Sequence, residues 1–393
     1  MLSPSNTHQL VLRKKEEGRI LSGHPWVFSN ELLETRGGPE CGDVVELRTE
    51  KGKTLGFGFY NPHSLISFRL LSLEPVQATT EFFIERIARS LKLRRRLYPL
   101  SEAFRVVHGE ADFLPGLVID KYNDYLCVQT FCYGMDRQLS AICDALEELF
   151  HPAGIIERNE SPLRALEHLP QQKGVLRGTS GTTTIVEHEI QYEVDPLQGQ
   201  KTGFYLDQRE NRSSIRRYAK GAAVLDCFCN EGGFGLNAAL AHAESVVGID
   251  ISGDAVDRAR KNAGRNNVGS IQFQQVDVFE FLKSRDRERK FDVIVLDPPS
   301  FTRSRKNVPA AKRGYRELHI HALRLLKAGG FLLSASCSHH VKADVFLEIV
   351  QEAGMRAGRC LQQLEWRSAA PDHPILPAVP ETQYLKFGAF QVH

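Results

Sequence analysis

The stretch Ala223-Val-Leu-Asp-Cys-Phe-Cys-Asn-Glu-Gly-Gly-Phe-Gly235 decides the fold class of this chain. An apolar run with an aspartate near its end gives way to a glycine-rich turn, and small apolar residues continue through Ala238 to Ala243. A buried strand that feeds such a turn and then a helix opens a unit of parallel strands joined by crossover helices. The same grammar repeats downstream. Ser245-Val-Val-Gly-Ile-Asp250 is the next strand, followed by a helix with Ala255, Ala259 and Ala263 on one face. Ile271 to Val276 ends at Asp277, Phe291-Asp-Val-Ile-Val-Leu296 ends at Asp297-Pro-Pro, and Gly330 to Leu333 runs into Ser334-Ala-Ser-Cys-Ser-His-His340. Strands separated by helices predict an α/β doubly wound, Rossmann-like parallel sheet, whose ligands bind beyond the carboxyl ends of the strands. The polar residues just named all fall on that edge. Tyr384 to Val392 is strand-like and is expected at the sheet's edge.

Upstream the pattern differs. Leu10-Val-Leu12, Val44 to Leu47, Leu55 to Tyr60 and Leu65 to Leu71 are short runs broken by Gly, Pro and Asn, which predict a small β-barrel. A basic helical segment over 79–98 carries Phe83, Ile84, Ile87, Leu91 and Leu97 at helical spacing. Phe104 to Val107, Gly116 to Asp120, Leu126 to Phe131 and Gly154 to Glu157 read as strands, and Arg137 to Phe150 as a helix, giving a compact α+β middle. The polar stretch Gln171 to Thr184 reads as a boundary loop. The expected domains are a barrel over 6–74, an α+β domain over 75–184 and the α/β domain over 185–393.

The 393 residues, 42% hydrophobic and 25% charged, suffice for more than one core. A net charge of +2 says little about partners, but its distribution says more. One cluster, Arg86, Arg89, Lys92, Arg94, Arg95 and Arg96, reads either as a solvated helix face or as a basic surface. A second, Arg303, Arg305, Lys306, Lys312, Arg313 and Arg316, lies beside Asp297-Pro-Pro with no acidic residue among it, which favours a phosphate-facing role. The eight cysteines include no C-x-x-C pair, which argues against a zinc site or a disulfide framework. The start Met-Leu-Ser-Pro-Ser-Asn has no apolar signal region and no run is long enough to span a membrane, so a cytoplasmic protein with reduced thiols is expected.

Gly233-Phe-Gly235-Leu-Asn-Ala238 fits the dinucleotide pattern G-x-G-x-x-A, so an NAD-binding oxidoreductase is one reading. Asp250 suits either that or another ribose-bearing ligand, or it caps the helix that follows. Asp277, flanked by Val276 and Val278, could meet an adenine amino group. Two prolines after Asp297 remove two N–H donors and stiffen the turn, presenting a carboxylate to a planar polar substrate. A dehydrogenase has no need of such a loop. Cys337, between two serines, is either a small residue at a strand end or a nucleophile.

Together with Gly23-His-Pro-Trp-Val-Phe28, Gly109-Glu-Ala-Asp-Phe-Leu-Pro-Gly-Leu-Val-Ile-Asp120, Gly199-Gln-Lys-Thr-Gly-Phe-Tyr-Leu-Asp-Gln-Arg-Glu-Asn211, Asp297-Pro-Pro-Ser-Phe301 and Ser336-Cys-Ser338, this constellation resembles the bacterial 23S rRNA cytosine-C5 methyltransferases, a class I S-adenosylmethionine-dependent family. The resemblance covers almost the whole chain. It implies an N-terminal PUA domain that binds structured RNA, with Trp26 in its core or on its surface. It implies S-adenosylmethionine held by Gln208 and Arg209 at the methionine end, by Asp226, Cys227, Phe228, Gly232, Gly233 and Phe234 around methionyl and ribose, by Asp250 and Ile251 at the ribose, by Asp277 and Val278 at the adenine, and by Asp297. Cys337 is implied as the nucleophile that adds to carbon 6 of cytosine, with Asp297 at N3. Pro298, Pro299, Arg303, Lys312, Arg313 and Tyr315 are implied at the substrate. The expected partner is 23S rRNA or a large-subunit assembly intermediate, with no membrane and no metal; a homodimer is compatible. Asn230-Glu231 departs from the family pattern, with Glu231 either at the ligand or in solvent. A guanine-N7 enzyme with a related loop is the nearest rival, but nitrogen methylation needs no Cys337.

Overall fold

The computed structural model describes residues 8–285, 290–302 and 304–393. The chain divides into two compact units. One runs through Ile185 and includes Val194–Leu206 and Pro371–Thr382; the other comprises Val186–Glu193, Asp207–Ala370 and Gln383–His393. The expected barrel and α+β domains therefore fall within one unit.

In that first unit a six-stranded sheet has the order Trp26–Phe28, Ile66–Ser72, Thr54–Tyr60, Val44–Arg48, Gln9–Leu12 and Leu32–Arg36. Leu10, Leu12, Val27, Val45, Leu47 and Phe68 alternate into its core. A five-stranded sheet follows, ordered Gln172–Gly178, Gly154–Asn159, Tyr125–Thr130, Leu117–Tyr122 and Ala103–His108, with helices Thr80–Leu97 and Leu139–Phe150 against it. Buried ionic contacts join the two sheets. Glu167, 3% exposed, accepts from Ser64, Asn61 and Arg69, and Glu110 accepts from Trp26 and Arg69. A charge in an apolar interior is tolerated only when paired in this way. Trp26 is thus held by a polar bond as well as by packing. The stretch read as a boundary loop is the edge strand Gln172–Gly178 followed by the hairpin strand Thr183–Glu187. Most residues of the edge strand are open to solvent, so it carries no apolar alternation and reads as loop.

The second unit holds a seven-stranded sheet. Its strands are β1 (Ala223–Cys227), β2 (Ser245–Asp250), β3 (Ile271–Gln275), β4 (Phe291–Leu296), β5 (Leu326–Ser336), β6 (Leu361–Arg367) and β7 (Lys386–Val392), in the order β3-β2-β1-β4-β5-β7-β6. The first five are parallel, and β7 runs antiparallel to both neighbours. Helices α1 (Gly233–Leu240), α2 (Gly253–Arg265), α3 (Val278–Ser284), α4 (Val308–Leu325) and α5 (Ala343–Ala357) cover the sheet. Leu225, Ile249, Ile294 and Leu332 face one apolar layer, and Val224, Val246, Val293, Val295 and Leu333 the other. Strands buried on both faces read as continuous apolar runs, which is why this sheet is visible in the sequence. Two points differ from expectation. Lys386–Val392 is not an edge strand but sits between β5 and β6, and the polar β6 takes the edge.

Candidate active site at the carboxyl ends of the sheet

After β1 the chain turns sharply. Phe228, Asn230 and Gly232 have φ of 61°, 45° and 81°. Left-handed backbone is uncommon for non-glycine residues and concentrates where a loop is shaped around a ligand. At Gly232 a side chain would be both strained and 2.9 Å from the Phe273 ring, and at Gly233 a Cβ would lie 2.3 Å from Arg212 Cδ. The loop can take this path only with glycine there. Cys227, Phe234 and Val278 are buried.

Asp226 is fully buried; its Oδ2 accepts from the Gly235 N–H at 2.8 Å, and its Oδ1 has no hydrogen-bond partner. Burial pushes its carboxyl up to about 8, against the Gly235 bond and with help from Asp297 and Asp250. Glu231 is also buried, and burial raises it to about 7 although Arg258 bonds it at 3.2 Å and Arg212 lies nearby. It therefore faces the interior and not solvent. Its Oε2 and the Asn230 Oδ1 are likewise buried without hydrogen-bond partners. Buried polar atoms left unbonded are costly. Three such atoms around one strained loop fit a ligand that brings polar hydrogen-bonding groups of its own.

Asp250 does not cap α2. Its Oδ2 accepts from the Asn230 N–H at 3.0 Å and its Oδ1 from the Ser252 N–H at 2.9 Å, while Ser252 caps the helix. It thus ties the strained loop to the end of β2, with its half-buried carboxylate at the sheet edge. Ile251 beside it is 64% exposed, an apolar face suited to a flat ring. Asp277 caps α3 by accepting from the Glu280 N–H at 3.0 Å, which fixes its direction. Arg209, expected at a cofactor carboxylate, is buried and pairs with Glu187, which Arg212 also holds. Nothing in sequence spacing pointed to Glu187.

The next two strand ends meet. Gln208 donates from Nε2 to Asp297 Oδ1 at 2.9 Å, and its own Oε1 accepts from Asn211 at 2.7 Å, so the Asp297 carboxylate is held in one orientation. Pro298 is buried and Pro299 exposed. The Ser300 and Ser338 hydroxyls share a hydrogen bond at 3.1 Å, linking the Asp297 loop to the turn that carries Cys337. Tyr315, expected at the substrate surface, is fully buried instead. Its hydroxyl bonds Ser336 and Ser338 at 3.0 Å each, and its ring packs on Phe301 with centroids 4.5 Å apart. It props the Cys337 turn and is not available to a phosphate. Burial raises the Tyr315 phenol to about 12, with the Cys337 and Asp297 charges adding in the same direction. The tyrosine therefore senses both groups. Cys337 itself is half-buried, whereas burial drives the thiols of Cys227 and Cys229 upward and makes them inert. Lys386, which sequence reading missed, reaches the same turn from β7: its Nζ donates to the Ser338 carbonyl at 2.7 Å. Lys312 is half-buried and Arg313 exposed on α4; Arg303 lies outside the described residues. Among the described residues no group of three or more His, Cys, Asp or Glu could hold a metal ion, and no helix is long and apolar enough to cross a membrane.

The raised Asp226 carboxyl has a measurable consequence. Between its unfolded value near 3.9 and its folded value the native state holds a proton that the unfolded chain has lost, so stability falls as pH rises through that window. The ligand-free protein should lose melting temperature between about pH 6.5 and 8.5, and Asp226→Asn should flatten that slope; thermal scans across the range would check this.

The fold and the domain order agree with those of known proteins. A family model described as a PUA-like domain matches residues 10–73, and one described as a methyltransferase domain matches residues 219–372. The Aeromonas hydrophila protein named ribosomal RNA large subunit methyltransferase I is 40% identical over 386 residues, 96% of this chain and 97% of its own. Its namesake from Tolumonas auensis is 38% identical over 386 residues, with the same coverage. The crystal structure of a methyltransferase complexed with SAH superposes with a TM-score of 0.84 at 20% identity, covering 98% of this chain and 99% of that one, a likeness of fold. With a PUA-like N-terminal domain, a Rossmann-like methyltransferase sheet and this identity along nearly its whole length, the chain belongs to the ribosomal RNA large subunit methyltransferase I family.

Proposed function

We propose that this protein methylates carbon 5 of a cytosine in 23S rRNA, using S-adenosylmethionine and a transient bond from Cys337 to carbon 6 of the base. The observation that carries the reading is the meeting of Cys337 and Asp297 on neighbouring strand ends, joined through Ser300, Ser338 and Tyr315. The residues suited to hold the cofactor are Asp226 and the backbone through Phe234, with Asp250 and Ile251 at the end of β2 and Asp277 beyond β3. Gln208 and Arg209 lie buried before β1, Gln208 acting through Asp297. When bound, S-adenosylmethionine supplies an electrophilic methyl group.

Carbon 5 of cytosine is a weak nucleophile. Addition of the Cys337 thiolate to carbon 6 forms a C–S bond and moves ring electron density toward N3 and carbon 5. The Asp297 carboxyl, held by Gln208, meets N3 and supplies a proton or hydrogen bond there. Once carbon 5 carries the methyl group, a base takes its proton, the C–S bond breaks, and the thiolate is regenerated. One hard step becomes two easier ones. The base must leave its stack to reach both groups, so a flipped or single-stranded target is required. Nucleoside analysis of rRNA treated with the protein and labelled cofactor tests the reading: label in 5-methylcytidine supports it, and label in a nitrogen-methylated base sinks it.

The RNA partner has support away from the catalytic centre. On helix Thr80–Leu97, Arg94 is buried against Asp112 and Arg95 pairs with Glu102. Arg86, Arg89, Lys92 and Arg96 share one helix face with no salt bridge among the described residues. Such a face suits phosphates. Arg89→Glu with Lys92→Glu should weaken rRNA binding and lower the slope of log affinity against log salt by about 0.7 to 0.9 for each lost phosphate contact. Filter binding from about 50 to 300 mM salt would measure it; unchanged affinity would assign this face to solvent.

A further inference from the structure

We infer that the Lys386 ammonium group holds Cys337 as its thiolate, which makes Lys386 a positioning residue for the nucleophile; the inference rests on the reading of Cys337 given above. β7 pairs antiparallel with β5, and Lys386 lies directly opposite Ser336. From there its side chain runs to the turn beyond the strand, donating to the carbonyls of Ser338 at 2.7 Å and Tyr384 at 2.8 Å. It is 3% exposed. Among the described residues no carboxylate forms a salt bridge with it. Two neutral carbonyls solvate an ammonium but do not neutralise it, and a buried lysine without a counter-charge is rare and costly. The residue that precedes Ser338 is Cys337. A thiolate there is the missing negative charge.

The surrounding groups agree. Burial lowers Lys386 to about 8, and the coupling to Cys337 opposes that shift. Coupling is reciprocal, so whatever a thiolate does for the ammonium, the ammonium does for the thiolate. Near neutral pH most Lys386 is still protonated. The two histidines after Ser338 are poor substitutes. The His339 ring stacks on Tyr384 with centroids 5.4 Å apart, and desolvation of that ring, then the charges of Lys386 and His340, lower its pKa. Tyr315 stays a neutral phenol, bonded to Ser336 and Ser338 on either side of Cys337. Ionisation passes the thiol proton to solvent, or to Lys386 in the fraction of molecules where its amine is neutral. No further reactant is involved.

The test follows alkylation of Cys337 by iodoacetamide in the full-length protein, read by mass spectrometry of the peptide that carries it, from about pH 5.5 to 9.5. The wild-type midpoint should lie below the ordinary thiol value of about 8.5. In Lys386→Met it should rise by about one unit or more, making alkylation near pH 7 about 10-fold slower, and Lys386→Arg should restore part of the rate. Circular dichroism and SAH binding establish that each variant is folded. A Lys386→Met profile that coincides with wild type in a folded protein overturns the inference. So does a wild-type midpoint at or above 8.5, which decides the matter even if Lys386→Met fails to fold. Alkylation needs no methyl transfer, so the two readings fail separately. Normal methylation by Cys337→Ala removes the nucleophile reading itself; an inactive Cys337→Ala with an unmoved Lys386→Met profile removes only the role of Lys386.

Discussion

Cys337→Ala is expected to lower kcat for methyl transfer to rRNA by a factor on the order of 10⁴ or more, the scale on which loss of a covalent nucleophile acts. The variant should still bind SAH and unfold at nearly the wild-type temperature. Cys337 is half-buried at the end of β5, and the turn that holds it is built by other groups: Ser336, Ser338, Tyr315 and Ser300. Removing one sulfur leaves those bonds intact. On the proposed mechanism, carbon 5 without the thiolate would keep the reactivity of an aromatic ring carbon. Single-turnover assays with labelled cofactor, run beside titration calorimetry with SAH, separate chemistry from binding.

Asp297→Asn is expected to lower kcat by about 10² to 10⁴, the range in which a positioned acid or base contributes, with little change in KM. The substitution is isosteric. An asparagine oxygen can still accept from Gln208 Nε2, as Asp297 Oδ1 does at 2.9 Å, so the loop and its prolines keep their path. What is lost is the proton and charge at N3 when density arrives there. A group that only shaped the loop would tolerate this change, and a fall of less than about 10-fold would assign Asp297 to structure. Asp297→Ala should be at least as impaired, since it also leaves buried Gln208 without its acceptor.

The legibility of this protein in its sequence follows burial. Ser245–Asp250 and Phe291–Leu296 appear where the apolar runs put them, because both faces of these strands are covered. Among the strands that sequence reading missed, Leu32–Arg36, Gln172–Gly178 and Leu361–Arg367 lie at sheet edges where most side chains meet solvent, so their residues show neither alternation nor a continuous run. At the site, the strand-end aspartates and Cys337 stand out because they follow apolar runs. Their partners do not. Lys386 comes from a strand far downstream and is a lone cation in an apolar segment, and only the register of β7 against β5 brings it to the turn that carries Cys337. Tyr315 sits within a basic stretch and reads as surface, yet helix periodicity turns it inward with Ala311, Leu318 and His319. Sequence leaves Glu231 open between ligand and solvent, and only its burial beside Arg258 and Arg212 decides against solvent.

The proposed mechanism turns on the bond between Cys337 and carbon 6. Its most direct test is to offer the protein S-adenosylmethionine and rRNA transcribed with 5-fluorocytidine, whose carbon 5 fluorine cannot leave as a proton does. The expected product is a protein–RNA complex that survives denaturing gels, maps by mass spectrometry to Cys337, and is absent with Cys337→Ala. Methyl transfer to normal rRNA with no such complex, or a complex mapping to another cysteine, would contradict it.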